Sequence, residues 1–484
     1  MNAVGADRGH RVSVGTLMTA LLAACVAFQL NASMLSPALA SIQTELKVTP
    51  AAVGLTQTAF FTSAALFSLF LPRLGDLVGR KRVLTGMLAM MAVGCVVAAF
   101  APNIAVLFVG RVVQGVSGPV VPLCLIMLRH EVREAKRYGM LMGVVTSVNG
   151  GVAGVDALGG GFLADHYGFH SVFWAMAVIA VIATVLVFLF SAESAADNRG
   201  RMDWLGVGCL VVSVGAMLIA LNEAGKLGAA DWLLIAILLV VAVGMFAAFW
   251  RVEDRGSHPL VETRHLRQRG TWALLLTTLL TMTGVFAVMN GLLPTLVQDP
   301  KASLGMSAGD AALWILTPYA LAGLAMGPLS GRLAGTIGYR SILRAGMVGT
   351  VVGVLLLAFT AGVTTRLLVL VLSIVVGITY AGTVNIVLNG LGIVLSPREN
   401  PGFLPGLNAG AFNLGAGLSF AVLYAVDTAL APSDPTSAAG YSAGMFAGAV
   451  ILGLALASSL LIPRPDDAED HAPATPSSTG TRRA

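Results

Sequence analysis

Trp174-Ala175-Met176-Ala177-Val178-Ile179-Ala180-Val181-Ile182-Ala183-Thr184-Val185-Leu186-Val187-Phe188-Leu189-Phe190 runs for seventeen residues without a charge, a glycine or a proline. A helix needs about 20 apolar residues to cross the hydrocarbon of a bilayer. Comparable stretches fill the chain from residue 14 to residue 462, and we count fourteen. None alternates with period two. Lipid admits only helices and closed barrels, because every backbone group must be satisfied internally. The expected fold is therefore all-α and integral to the membrane.

Composition agrees. The chain has 484 residues, of which 56% are hydrophobic and 11% charged. Its mean hydropathy is +0.84. Soluble domains carry roughly 25% charged residues, and a lipid-facing surface accounts for the deficit. Arg8 and Arg11 before an apolar run, with Ala38-Leu39-Ala40 behind it, imitate a signal peptide. That run exceeds the usual apolar core of about 7–15 residues, so an uncleaved first helix is expected.

Charge placement gives an orientation. Arg80, Lys81 and Arg82 follow the second run; Arg129, Arg133, Lys136 and Arg137 follow the fourth; Arg251, Arg255, Arg264, Arg267 and Arg269 follow the eighth. Of 29 Lys and Arg, the opposite loops hold Lys47, Lys226, Lys301 and Arg366. Basic loops stay inside, so both ends are expected in the cytoplasm, in the plasma membrane. The net charge of +5 then reflects topology and needs no nucleic acid. Cys25, Cys95, Cys124 and Cys209 all fall in apolar runs and read as small buried residues.

The organisation is two blocks of six helices around an insert. Residues 1–13 form a cytoplasmic start, 14–190 a first six-helix bundle, and 191–269 a linker with two extra spans. Residues 270–462 form the second bundle, and 463–484 a disordered cytoplasmic tail rich in Pro, Ala, Ser and Thr. Asp76-Leu77-Val78-Gly79-Arg80-Lys81-Arg82 has a weak echo in Gly335-Thr336-Ile337-Gly338-Tyr339-Arg340. Repeated halves are a mark of transporters, whose substrate site lies between them.

Few charges lie inside the runs. Arg111 and Asp156 are the clear cases, and each is a functional hypothesis by default. Counted from the ends of their helices, both fall at the depth of Asn31, roughly 10 Å in at 1.5 Å per residue. The three form a candidate polar cluster for proton coupling, in which water access or a change in the Arg111 distance loads and releases a proton on Asp156. The fifth run carries Gly150, Gly154, Gly160 and Gly161. Small residues at such spacing let helix backbones approach closely. Gln114, Asn149, Asn290, Asn385, Asn389 and Asn413 are candidate cavity amides, with Asn408 as a further one. No metal cluster, phosphate loop or nucleophile set stands out, so no cofactor is expected. A gradient-driven transporter is favoured over an enzyme or an ATP-driven pump.

Asp76-x-x-Gly79-Arg80-Lys81-Arg82 resembles the signature loop of the major facilitator superfamily. Arg111-Val112-Val113-Gln114-Gly115 resembles its helix-4 motif, and the glycine-rich fifth run its antiporter motif. The insert opening Asp203-Trp204-Leu205-Gly206 resembles that of the 14-helix drug:proton antiporter branch. The resemblance implies that Asp76, Gly79, Arg80, Lys81 and Arg82 form a conformational latch and that Arg111 serves proton coupling. It also implies a monomer that exchanges small amphipathic or lipophilic compounds for protons.

The departures are specific. Pro72 replaces the loop's usual first glycine, Leu30-Asn31-Ala32-Ser33 carries a neutral amide where the family has Asp, and Asp156-Ala157 stands for Gly-Pro. Asp156 is thus expected to replace the missing carboxylate as the partner of Arg111. Without the helix-1 Asp, a buried counter-charge for multiply charged cations is lacking, and neutral or weakly basic metabolites fit as well. The leading expectation is a proton-coupled exporter. The alternatives are a uniporter or proton symporter for a small metabolite, and a non-transporting receptor or assembly partner.

Overall fold

The computed structural model describes residues 13–132, 134–193, 202–224, 230–255, 263–396, 403–431 and 436–463. All but the first residue of the expected disordered tail and all but the last residue of the expected N-terminal segment lie outside them. Among the described residues there is no strand. Thirteen helices of the described residues are long and apolar enough to cross a membrane. In chain order they are α1 (Val14–Leu46), α2 (Pro50–Val78), α3 (Arg80–Ala99), α4 (Ile104–Glu131), α6 (Phe169–Phe190), α7 (Trp204–Leu221) and α8 (Trp232–Arg255). Then follow α9 (Arg269–Gln298), α10 (Ala308–Ile337), α11 (Tyr339–Val363), α12 (Arg366–Val394), α13 (Phe403–Leu430) and α14 (Ala439–Leu461). The remaining expected span falls on α5 (Ala135–Tyr167), a single helix of 33 residues outside those thirteen. Helix α1 runs on past Ala38-Leu39-Ala40 by way of a 3-10 turn at Ser36–Ala38.

Large apolar side chains face outward along the bundle, among them Val93, Phe188, Leu189, Leu233 and Val240. In water such a surface would be a liability; against lipid tails it carries no penalty. Inside, α2 packs along α13, α9 packs against α13 and α14, α3 packs on α6, and α5 meets α10. The inserted α7 and α8 pack chiefly on each other, tied by Ser213 Oγ donating to the Ala242 carbonyl at 2.8 Å. Helix α8 is the least buried of the thirteen.

The echo between the two halves has a backbone cause. Gly79 ends α2 and precedes α3 with φ +112°, and Gly338 ends α10 and precedes α11 with φ +104°. A side chain is strained in that region, so glycine recurs where the same sharp turn joins equivalent helices. At Gly79 a Cβ would also collide with the Glu193 carboxylate, whereas at Gly338 it would meet open space. Gly338→Ala should therefore cost roughly 1–3 kcal/mol from backbone strain alone. Gly79→Ala should cost more, because Glu193 must leave Lys81 N and Arg82. Unfolding temperatures of the two variants in detergent measure this; an equal or smaller loss at Gly79 would contradict it.

Candidate functional site

The first half of the site is built around a charge without a carboxylate. Gly115 and Gly118 of α4 lie so close to α2 that a Cβ on either would collide with Ser63 or the Ala64 carbonyl. That approach sets Arg111 and Gln114 of α4 against Gln57 and Phe60 of α2. Arg111 is fully buried. Its Nη1 donates to Gln114 Oε1 at 2.7 Å and to the Asn31 carbonyl at 3.2 Å, and its Nη2 donates to Gln57 Oε1. The guanidinium carbon sits 4.2 Å from the centroid of the Phe60 ring, within cation–π range. Three oxygen dipoles and a ring face thus replace water. Arg111 Nε, Gln57 Nε2 and Gln114 Nε2 are buried and have no hydrogen-bond partner among the described residues.

Asn31 does belong with Arg111, through its backbone carbonyl. Its side chain is otherwise engaged: Nδ2 donates to the Ala27 carbonyl at 3.0 Å and Oδ1 accepts from Cys95 Sγ at 3.2 Å. Asp156 is placed differently from expectation. Among the described residues no ion pair joins it to Arg111; Ser33 Oγ donates to its Oδ2 at 2.5 Å. Gln29 Nε2 donates to the same Ser33 oxygen at 2.9 Å. The Asp156 Oδ1 atom is buried without a partner. Asn31 and Ser33 are two residues apart on α1, so one turn touches both charged groups.

The second half contributes rings. Phe61 of α2 meets Phe286 of α9 edge-on at 5.0 Å and lies parallel to Phe420 of α13 at 6.4 Å. Phe286 also contacts Phe412 and Phe420, both at 6.1 Å. Tyr319 and Tyr380 stack at 6.5 Å, and the Tyr380 hydroxyl reaches Met282 Sδ at 2.7 Å. Asn290 and Tyr380 sit in π-helical turns, Val288–Leu292 and Gly377–Val384; such turns are frequent at functional sites.

The remaining expected amides divide. Asn290 Nδ2 donates to the Phe286 carbonyl at 3.1 Å, and Asn413 is buried in α13. Asn408 bridges helices, accepting from Thr278 Oγ1 at 2.7 Å. Asn389 pairs with Asn385 on the more exposed face of α12. The side chain of Asn149 and the surroundings of Gly150 lie outside the described residues. Of the expected packing glycines, Gly160 lies against the Met34 backbone, Gly161 against Ala308 and Gly154 against Ala320. In the expected latch, Arg80 Nη2 meets Asp76 Oδ1 at 2.8 Å, while Lys81 N and Arg82 meet Glu193. Asp76, Arg80, Lys81 and Arg82 lie in the first half and Glu193 in the linker, so none of these latch contacts joins the two halves.

Four site residues escaped sequence reasoning: Gln57, Phe60, Phe61 and Ser33. So did Asp427, a buried carboxylate near the end of α13. A polar residue three before paired phenylalanines was a signal for Gln57. Asp427 sits only three residues from the end of its helix and reads as interfacial.

The comparisons with known proteins fit this architecture. The model described as Major Facilitator Superfamily matches residues 21–420. A uridine/deoxyuridine transporter of Lactococcus lactis subsp. cremoris (strain MG1363) is 53% identical over 459 residues, covering 94% of this chain and 96% of that one. The multidrug resistance protein Stp of Mycobacterium tuberculosis (strain CDC 1551 / Oshkosh) is 27% identical over 422 residues, covering 86% and 76%. Among solved structures, a point mutant of the nucleoside transporter NupG superposes with a TM-score of 0.63 at 13% identity, over 92% of this chain and 99% of that one. The chain belongs to the major facilitator superfamily; it is a multi-pass membrane transporter and not an enzyme. The expected drug:proton exporter is overturned by the 53% identical relative, which is a nucleoside transporter. Both a nucleoside transporter and a multidrug resistance protein are among the relatives, so membership of the superfamily does not fix the solute.

Arg111→Met should strand the Gln57 and Gln114 oxygens and cost about 2–4 kcal/mol, since buried acceptors left unpaired carry their full desolvation penalty. Arg111→Lys should recover only part, because one ammonium lacks the planar fork that spans several acceptors. A lysine variant as heat-stable as the parent protein would contradict this account of the site.

Proposed function

We propose that this member of the superfamily carries pyrimidine nucleosides across the plasma membrane by proton symport, with fourteen spans and both ends cytoplasmic. The observation that carries the substrate class is 53% identity, over nearly the whole chain, to a uridine/deoxyuridine transporter. The chemistry of the site supports it. A nucleoside is a neutral, flat, hydrogen-bonding solute. It asks for ring faces and for donors and acceptors at its base edge and sugar, and no buried counter-charge. The Phe61–Phe286–Phe420 group supplies ring faces. Gln57 and Gln114 supply amides, and Asn290 and Asn413 lie in the same helices as the rings. Ligand sites of this kind are mostly apolar with a few placed polar groups.

In this reading the bundles 14–190 and 270–462 rock about the site, as in transporters built from repeats. The Asp76–Arg82 loop serves as the latch at the basic end, with Asp76 held by Arg80. The 14-helix arrangement is that of the drug:proton antiporter branch without its substrates. The chain acts as a monomer with protons as its only co-substrate. Asp156, with Ser33, takes and releases that proton, because an ionisable group inside the membrane marks an ion pathway and its Oδ1 atom is free to receive one.

Asp156→Asn should abolish uridine accumulation driven by a pH gradient while leaving uridine–uridine exchange at the parental rate. A variant that still accumulates uridine against its gradient would remove Asp156 from the coupling step. Accumulation by the parent protein that is indifferent to the pH gradient would make the protein a uniporter.

A further inference from the structure

Asp165 lies two residues before the end of α5, on the side of the bundle remote from the basic loops. Its carboxylate crosses between the halves. Oδ1 accepts from Ala308 N at 2.8 Å, and Oδ2 accepts from Gly309 N at 2.7 Å. These are the first amides of α10. A helix start leaves its first four N–H groups without intrahelical partners. Here the helix caps only part of its own end: Ser307 Oγ accepts from Asp310 N at 3.1 Å, and the Ser307 carbonyl from Ala311 N at 2.9 Å. The other two amides are filled by a carboxylate from the opposite half.

The contact is favourable in three ways. Each bond is charge-assisted, and the carboxylate meets the positive end of the helix dipole. Asp310, which would repel Asp165, faces Arg366 at 3.7 Å. The backbones are also unusually close. A Cβ on Gly161 would stand 2.7 Å from the Ala308 carbonyl and 2.8 Å from Gly309 Cα. Further along α5, Thr317 Oγ1 of α10 donates to the Gly154 carbonyl at 2.7 Å. Positions 154, 161 and 165 are spaced by seven and four and so share one helix face. That face is the seam between the halves.

We propose that Asp165 is a releasable clasp, closing the transport pathway at the end remote from the basic loops and letting go each time the pathway opens there. The inference rests on the reading that the halves move against each other, and not on the identity of the solute. A substrate cannot enter or leave at that end while α5 holds the first turn of α10. Asp165 is already exposed, so its release leaves only two amides to be newly solvated by water. The clasp is therefore reversible in a way that a buried ion pair would not be.

The test uses a cysteine placed behind the clasp. Ala312 is fully buried in the turn Ala312–Leu316 that packs on α5. In detergent-solubilised full-length protein, the reaction of Ala312→Cys with a water-soluble maleimide should be slow. Adding Asp165→Ala should speed it about tenfold, as expected when charge-assisted contacts favouring one of two states are removed. Asp165→Asn, which keeps one acceptor, should give a smaller rise. Gly161→Ala, which wedges the seam apart, should raise it without touching the carboxylate. Unchanged labelling in these variants overturns the proposal.

A second arm separates a clasp from a permanent brace. Oxidising the pair Asp165→Cys and Gly309→Cys should arrest uridine exchange in liposomes, and reductant should restore it. Exchange that persists in the cross-linked protein also overturns the clasp. Absence of uridine exchange in the parent protein counts against the nucleoside reading instead, and the labelling arm then decides the clasp alone.

Discussion

Inside a bilayer there is no water to accept a hydrogen bond, and the site follows from how this chain meets that constraint at Arg111. Leaving a bare guanidinium in hydrocarbon costs far more than any single contact returns. No carboxylate is its partner among the described residues. The charge is instead spread over Gln57, Gln114, the Asn31 carbonyl and the Phe60 ring. Each of those partners comes from a defined turn of α1, α2 or α4. Their registers are therefore fixed together, and the glycines of α4 are what bring α2 near enough to take part. Holding a cation with dipoles leaves the side-chain nitrogens of Gln57 and Gln114 without hydrogen-bond partners among the described residues.

The halves are joined by a different principle. Along the seam of α5 and α10 the contacts are glycine against backbone and hydroxyl or carboxylate against main-chain groups. Between α2 and α13 they are aromatic rings and one hydroxyl, Thr58 Oγ1 donating to the Gly417 carbonyl at 2.9 Å. In lipid such packing and backbone hydrogen bonds do the work that hydrophobic burial does in water.

Much of this was legible in the sequence. The apolar runs gave the helices, because length and charge are all that lipid selects for. Gly79 and its counterpart Gly338 were legible because only glycine suits their backbone. Arg111 and Asp156 stood out as charges in apolar runs, but their partners did not. Gln57 and Ser33 are ordinary polar residues in long helices, and which of them faces a charge depends on helix rotation, which hydropathy does not encode. The same limit hid the ring cluster, whose members come from α2, α9 and α13. Substrate was the least legible feature. The loop and helix-4 motifs point to the superfamily and not to the solute, while the neutral Asn31 in place of a carboxylate was the one residue pointing away from cationic drugs.

A neutral nucleoside as the transported species is open to direct test. The most direct measurement is counterflow: purified protein in liposomes preloaded with unlabelled uridine, with radiolabelled uridine outside and no ion gradient. The account predicts rapid, saturable entry of label that deoxyuridine suppresses and a lipophilic cation does not. Entry no faster than in protein-free liposomes, with a lipophilic cation exchanging instead, would contradict it.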